Sequence, residues 1–553
     1  GMFSIGGWCI GCWFYGTFLK WRDLWYLNKA YKSIQKPRSV AEKSRNPLVD
    51  GPDDDENHGY EYDLIVIGGG SGGLAASKEA ARLGKKVLVA DYVKPSQLGN
   101  SWGIGGTCVN VGCIPKKLYH TSAIVGESLR DANSYGWDNS DGTPITTAFS
   151  WTKLRRNILR HIKTLNDGYV RGLKDAKVQY VNGFATFVDE HTVKLFDDCE
   201  RTYNATARRI VIAVGGRPTY PDIPGAKTYG CSSDDIFSLK TPPGRTLIVG
   251  ASYIALETAG FLAGLGFPVT VLVRSKCLRG FDNDMAKRIV DDLQQHGVKL
   301  VHGVVPTGVA LAAGGEEKTN ASKPKVVSWK KYGRDGRDGE GVFDTVMFAI
   351  GRTPCTAGLK LENVGITVAP NGKIPVFRER TEVPNIYAVG DAMQYGQELT
   401  PVAIQAGVLL MKRLYAQSTR QMQYHIVATT VFTPLEYGTI VMSEEDATEA
   451  FGEDNVDAFH SQFTPLEYFL PNRKAKCYAK IIVNYLDRER VVGFHYLGPN
   501  AAEVTQGFAG CIQLGITKPD WDAIVGIHPC CAEEMVTLRR SKKSGVDPAK
   551  TGC

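Results

Sequence analysis

The sequence predicts an α/β protein built around two dinucleotide-binding βαβ units. Three observations carry that prediction: a glycine fingerprint at residues 68–73, a second at residues 250–255, and two cysteines, Cys108 and Cys113, following the first. Each fingerprint lies between a short apolar strand pattern and a helical pattern, the context that gives G-x-G-x-x-G its meaning.

At 553 residues the chain has room for about three or four domains. Hydrophobic residues at 43% and charged residues at 22% are ordinary for a soluble globular protein. A net charge of +7 is mild for this length. It would help steer an acidic protein substrate, but the basic residues are scattered and no nucleic-acid-reading motif is present, so no nucleic acid partner is expected. Thirteen cysteines, an odd number spread thinly, do not form a secreted disulfide framework. Reduced thiols in a cytosol-like compartment are expected. Cys199, Cys231, Cys277, Cys355, Cys477 and Cys511 sit singly and are read as ordinary thiols, as are the adjacent Cys530 and Cys531.

Residues 1–59 read as a leader and linker. Residues 3–19 are apolar but broken by glycines, at the short limit for spanning a bilayer, and a basic stretch follows. An organelle-targeting leader, a membrane anchor and an unstructured extension stay open, in that order. The thinly spread cysteines favour a cytoplasmic location, and a targeting leader makes a mitochondrial one the alternative. Cys9 and Cys12 imitate a Cys-x-x-Cys motif without the βαβ pattern that would support it. The folded part of the chain is expected to begin near Tyr60.

The first unit opens with an apolar strand at residues 63–67 and runs into Gly68, Gly70, Ser71 and Gly73 before a helix at residues 74–83. The first glycine makes the turn, the second admits pyrophosphate, and the third lets helix and strand pack. The strand at residues 86–90 ends in Asp91, placed to accept hydrogen bonds from a ribose. Residues 105–116 then read Gly-Gly-Thr-Cys-Val-Asn-Val-Gly-Cys-Ile-Pro-Lys. Small residues such as Gly106 and Thr107 let backbone approach a cofactor closely, and a helix opening there favours thiolate. Zinc would need another ligand pair, and only His120 is close, so the redox reading is preferred and no metal is expected. Residues 209–218 form a strand entering a glycine turn at Gly215. Residues 386–392 form another, ending in Gly-Asp391, an acid suited to a flavin polyol. The helix beginning at Thr400 and Pro401 can offer its N-terminus to the flavin ring.

The second unit starts with a strand at residues 246–250. Its fingerprint is Gly250-Ala-Ser252-Tyr253-Ile254-Ala255, with a helix at residues 254–265 and a strand at residues 269–273. That strand ends in Arg274, and Arg279 follows. Guanidinium forks suit a 2′-phosphate, which favours NADPH; two solvated surface arginines are the alternative.

With Phe432-Thr-Pro-Leu-Glu-Tyr-Gly438 and Gly526-Ile-His528-Pro added, these motifs resemble the large class of pyridine nucleotide–disulfide oxidoreductases. The likeness runs over residues 60–553 and is nearest to the animal-type thioredoxin reductase branch. It implies two Rossmann-like three-layer (ββα) domains and an α+β C-terminal dimerisation domain. An FAD domain (60–219 and 349–424) is interrupted by an NADPH domain (220–348), and residues 425–553 make a head-to-tail homodimer. By the resemblance, Cys113 faces the flavin and Cys108 exchanges with the next disulfide. Lys116 and Glu257 form an ion pair beside the flavin, and Tyr253 moves aside for nicotinamide. Gly351 and Arg352 complete the NADPH set. His528 is the acid/base offered to the other subunit, with Glu533 holding its second ring nitrogen.

The last segment is polar and contains glycine and proline, so residues 544–553 are expected to be mobile, covering about 17 Å root-mean-square. Such an arm would carry Cys553 to the neighbouring Cys108–Cys113 disulfide. The related pattern ends Gly-Cys-selenocysteine-Gly, so the natural protein is expected to continue by two residues. The resulting expectation is electron flow from NADPH through FAD to thioredoxin. Reduction of glutathione disulfide, or a binding or signalling flavoprotein without reductase activity, are the alternatives. Residues 333–341 read as a solvated glycine-rich insertion, and residues 463–468 as a local echo of 432–437.

Overall fold

The apolar run at residues 64–67 makes β1 (Tyr62–Ile67) a central strand, buried on both faces past Asp63. This computed structural model describes residues 59–145, 148–312 and 323–549. β1 pairs in parallel with β2 (Val87–Asp91) and with the C-terminal half of β5 (Thr202–Ile212), and β5 pairs in parallel with β15 (Ile386–Ala388). The long strands β3 (Gln179–Phe187) and β5 each serve two sheets. Their outer halves leave the parallel sheet to flank β4 (Thr192–Asp197) in antiparallel pairing. The bend in β3 falls at Gly183, where a Cβ would sit 2.7 Å from the Phe196 carbonyl oxygen. Helices then cover the other face of the parallel sheet, giving three layers.

Helix α1 (Ser71–Arg82) follows the first fingerprint. It begins three residues before the start read from sequence, because Ser71-Gly72-Gly73 are poor helix formers that tertiary packing nevertheless winds. A Cβ on Gly73 would lie 1.9 Å from the Gly68 carbonyl oxygen. The two cysteines fall on consecutive helices broken at Gly112. Cys108 lies in the short α2 (Gly106–Val111), and Cys113 is the first residue of α3 (Cys113–Asp131). Helix α4 (Trp151–Asp175) buries Trp151, Ile158, Ile162 and Leu173.

A two-stranded ribbon marks the crossing into and out of the second unit: β6 (Gly216–Pro218) pairs antiparallel with β14 (Arg352–Pro354). Within that unit β7 (Thr246–Val249), β8 (Val269–Val273), β9 (Lys299–His302) and β13 (Thr345–Phe348) form a parallel sheet in the order β13-β7-β8-β9. Helix α5 (Tyr253–Gly264) follows the second fingerprint and α6 (Asn283–Gln295) precedes β9. A separate antiparallel layer contains β10 (Val304–Leu311), β11 (Lys325–Lys331) and β12 (Gly339–Phe343). The glycine-rich run at 333–341 is therefore the turn of the β11–β12 hairpin, and its last residues belong to β12.

Residues from β16 (Ala428–Val431) onward form a five-stranded antiparallel sheet with β17 (Tyr437–Val441), β18 (Val456–Phe463), β19 (Cys477–Asn484) and β20 (Arg490–Leu497). Its order is β16-β17-β20-β19-β18, with α7 (Thr400–Tyr415) leading in and α8 (Ala501–Leu514) packed across it. One large apolar cluster joins α3, α5 and this sheet through Tyr119, Phe261, Tyr437 and Phe494.

The expectation of a free arm from Ser544 is corrected at its start. Up to Ala549 the segment is held against β18, which as an edge strand offers unpaired backbone groups. Cys553 and residues 3–19, including Cys9 and Cys12, lie outside the described residues. Among the described residues no helix is long and apolar enough to cross a membrane.

Candidate active site

The two fingerprints are built alike. Gly68 (φ +113°) crosses under Ala213, whose carbonyl oxygen would lie 2.3 Å from an added Cβ, and Gly250 (φ +124°) stands in the same relation to Ala349 at 2.2 Å. Only glycine combines that backbone with that contact. Gly70 and Gly106 face each other so closely that a Cβ on Gly106 would sit 2.7 Å from the Gly70 Cα. The helix starts at Ser71 and at Tyr253 have no side-chain cap, which leaves their N-termini available to phosphate.

A cavity of about 1120 Å³ runs between the nucleotide units and the C-terminal sheet. Gly68, Gly70, Ser71, Asp91, Gly106, Thr107, Gly215, Asp391, Thr400 and Pro401 line it. Asp91 is buried and accepts the Gly69 N–H at 2.8 Å. Burial pushes its carboxyl upward, as it does for Asp391. A tight glycine cradle, an acid at the end of β2, an acid after β15 and the α7 N-terminus are the donor and acceptor set that a flavin dinucleotide needs, and the cavity is large enough for it. The residues fit that group.

Cys108, Cys113, Lys116, Tyr253, Ile254 and Glu257 line the same cavity. The two thiols act on each other's ionisation in opposite directions. Cys113 opens α3, and Thr400, the first residue of α7, brings its Oγ1 to 3.9 Å from the Cys113 Sγ, so two helix N-termini converge on one sulfur. The Cys108 thiol and then the Lys116 charge and Thr400 hydroxyl hold the Cys113 thiol down at about 6. Cys108 moves the opposite way, driven up by the neighbouring Cys113 sulfur and by burial. The pair is thus polarised, with negative charge settled on Cys113.

Lys116 is fixed by Glu257: Nζ to Oε1 is 2.8 Å, and that oxygen also accepts the Phe432 N–H at 2.8 Å. Close packing of α3 on α5 sets this distance, since a Cβ on Gly264 would lie 2.8 Å from the Ala123 Cβ. Lys116 and Lys117 both lie over the Phe432 ring, 4.2 and 4.0 Å from its centre. Burial raises the Tyr253 hydroxyl, so this ring stays neutral where it lines the cavity.

Other expected residues are placed differently. Gly250 and Ser252 lie at the start of the α5 turn, but neither Arg274 nor Arg279 is in the cavity wall. The Arg274 guanidinium sits 5.7 Å from the centre of the Tyr332 ring, and Arg279 donates to Ser275 Oγ at 3.0 Å. Arg352, beside Gly351, points toward the first unit: its Nη2 donates to Thr107 Oγ1 at 3.2 Å and to the Gly216 carbonyl. His528 Nδ1 lies 3.0 Å from Glu533 Oε2, yet the pair is on the surface, with His528 66% exposed, and is outside the Cys108–Cys113 cavity of its own chain. Gly526 allows the loop to close on Glu533, because a Cβ there would meet Glu533 Cγ at 2.8 Å. Val525 and Ile527 beside it are 92% and 77% exposed, an apolar rim suited to an interface.

Several site residues carried no readable signal in sequence. Glu436 is buried, takes hydrogen bonds from Lys117 (3.0 Å) and the Ala501 N–H (3.1 Å), and pairs with His120 Nε2 at 2.9 Å. It ties α3 to the C-terminal sheet. Asn110 Nδ2 donates to the carbonyls of Gly103 and Gly106, while Asn166 donates to Asn110 Oδ1, so the cysteine loop is pinned from α4. Glu436 stood inside a quoted motif and Asn110 between the cysteines, but a carboxylate or amide in a motif does not reveal its partner.

Residues 62–407 match the pyridine nucleotide-disulphide oxidoreductase family, and residues 427–539 match the dimerisation domain of that family. Thioredoxin reductase SEP1 of Emiliania huxleyi is 51% identical over 503 residues, a match spanning 89% of this chain and 98% of the relative.

Proposed function

Because the chain belongs to the pyridine nucleotide-disulphide oxidoreductase family, we propose that its Cys108–Cys113 pair passes electrons to a C-terminal redox group and then to thioredoxin. The chain is an NAD(P)H-dependent flavoprotein disulfide reductase, and its dimerisation domain supports a homodimer. The observation that carries the reading is the polarised thiol pair, set between two glycine cradles and anchored by Lys116 and Glu257.

Bound FAD supplies two-electron transfer between the pyridine nucleotide and the disulfide. Gly68, Gly70, Ser71, Asp91 and Gly106 would hold its dinucleotide portion, and Asp391 with the α7 N-terminus its other end. The chain's own residues govern the sulfur chemistry. Reduction leaves Cys113 as the favoured thiolate, stabilised by Cys108, Lys116 and Thr400. Cys108 keeps its proton until a base removes it. The partner subunit's His528 takes that role in this reading, with its other nitrogen held by a carboxylate, which fixes the tautomer. Cys108 thiolate then attacks the incoming disulfide, expelling one thiolate. Cys113 thiolate next attacks Cys108, re-forming the internal disulfide and releasing the second thiolate, and two protons complete the product dithiol.

The relative's printed name supports thioredoxin as substrate, and the resemblance of the tail supports Cys553 as the relay. The Arg274 and Arg279 guanidiniums support NADPH as the preferred donor. The cysteine distribution supports a reducing, cytosol-like compartment, with a mitochondrial address in residues 1–59 as the alternative. Following NADPH oxidation with oxidised thioredoxin and with oxidised glutathione separates the readings. The proposal expects turnover with thioredoxin to exceed that with glutathione; preference for glutathione would reject it.

A further inference from the structure

Basic residues that lie apart in the sequence gather on one face of α4. Lys153, Arg156, Arg160, Lys163, Arg171 and Lys174 are all exposed and recur at helical spacing, with Asp167 midway between Lys163 and Arg171. Trp151, Ile158, Ile162 and Leu173 hold the opposite face in the core. The stripe spans about 32 Å at the rise of an α-helix. Lys163 meets Asp167 at 3.3 Å, in an exposed pair. Among the described residues the other five basic groups have no acid partner. The same helix forms a wall of the cysteine loop. Asn166 Nδ2 donates to the Ile104 carbonyl at 2.7 Å and to Asn110 Oδ1 at 2.9 Å. A Cβ on Gly105 would lie 3.3 Å from the Tyr169 ring, and burial and then the Cys108 sulfur raise the Tyr169 hydroxyl.

We propose that the exposed face of α4 is a docking surface for a protein that carries its disulfide on an acidic surface. The inference deepens the reading of the chain as a thioredoxin reductase and rests on it. Lys153 lies about 20 Å along the helix axis from Asn166, beyond the span of a small disulfide held at the cysteine loop. A protein lying along α4 covers that distance. Nucleic acid would suit the charges but brings no disulfide to Cys108. Solvated charges without acid partners act mainly on encounter: they draw in a complementary surface and make its arrival sensitive to salt. Asp167 interrupts the stripe and works against the same attraction.

The test measures the rate at which the FAD-loaded dimer associates with an immobilised thioredoxin of net negative charge. Both redox cysteines of that thioredoxin are serines, so no electron transfer enters the signal. The combined change Lys153→Gln, Arg156→Gln, Arg160→Gln and Lys163→Gln keeps good helix formers in place. It is expected to slow association about tenfold at low ionic strength, with the gap closing at about 0.5 M salt. Asp167→Asn is expected to speed association about twofold. A control removes four exposed charges elsewhere, by Lys227→Gln, Lys287→Gln, Lys299→Gln and Arg488→Gln, and is expected to stay within about twofold of the parent. An equal fall in both combined variants, or no fall in the α4 variant, would overturn the docking surface, while parent turnover of oxidised thioredoxin upholds the reductase reading. Tighter binding of a DNA duplex than of thioredoxin at physiological salt would assign the stripe to nucleic acid and overturn the proposal too. A parent chain that neither binds nor reduces thioredoxin would remove the substrate reading and this proposal together.

Discussion

Glu257 on α5 accepts a 2.8 Å hydrogen bond from Lys116 on α3, so one ion pair joins the helix bearing Cys113 to the helix of the second nucleotide unit. Glu257 is 3% exposed and Lys116 14%, and the same carboxylate oxygen serves the Phe432 N–H of the C-terminal domain. Three domains meet at that atom. Replacing Glu257 with Gln retains an acceptor for Phe432 but strands the lysine charge. We expect a loss of about 3 kcal/mol in unfolding free energy, measured by denaturant titration of the FAD-loaded protein.

The same pair tunes the thiol from opposite sides. Lys116 lowers Cys113 and Glu257 raises it. Alkylation of the reduced enzyme by iodoacetamide should therefore titrate at Cys113 with a midpoint near 6. Lys116→Gln should move that midpoint up by about one unit, and Glu257→Gln should move it down. Peptide mapping of alkylated Cys113 across a pH series spanning the midpoint checks both directions; an unchanged midpoint in Lys116→Gln would show that the ammonium does not act on the sulfur.

His296, at the end of α6, couples the second unit to α3. Its Nε2 is 3.7 Å from Glu127 Oε1 and its Nδ1 is 3.5 Å from Asp292 Oδ2, while Arg473 of the C-terminal domain binds Glu127 at 2.9 Å. The bond to Glu127, aided by Asp292, lifts the imidazole to about 9. A raised folded value means that the stabilisation is complete below the unfolded value of 6.5 and disappears as pH rises through 9. The urea midpoint of His296→Ala should accordingly fall furthest below that of the parent chain at about pH 6 and approach it by about pH 10. A gap independent of pH would show that packing, rather than charge, is what the residue provides.

Both βαβ units and the cysteine pair were legible because each is a local pattern: apolar strand, glycine turn, helix. Gly68 and Gly250 could be read as turn glycines, yet their contacts with Ala213 and Ala349 come from strands far along the chain. The helix at Ser71 starts earlier than propensity suggests, since packing overrides the cost of the two glycines that follow. Cys113 could be recognised as a redox thiol, but the approach of Thr400 depends on α7 lying against α1, where a Cβ on Gly407 would meet the Gly72 carbonyl oxygen at 2.8 Å. The composition of residues 544–549 suggested freedom because it is polar. It could not reveal that the edge of β18 was waiting for two backbone partners.

His528 and Glu533 lie outside the cavity of their own chain, so a shared site makes a specific claim about subunits. Homodimers of Cys113→Ser and of His528→Ala should each be inactive or nearly so toward disulfide substrate. A heterodimer of the two has one site carrying both changes and one carrying neither. It should recover about half of the parent activity per dimer, measured after tagging the chains separately and purifying the mixed species. Recovery no greater than that of the two homodimers would place His528 outside the shared site.

The central claim is that reducing equivalents from the pyridine nucleotide arrive at Cys108 and Cys113. Anaerobic addition of NADPH to the oxidised, FAD-loaded enzyme, followed by acid quench, alkylation and peptide mass spectrometry, tests it most directly. The account predicts that alkylation appears at Cys108 and Cys113 together as NADPH is consumed, while Cys231 and Cys477 in the core stay unchanged. NADPH consumption that leaves both cysteines in their disulfide, or new thiols that appear elsewhere first, would contradict it.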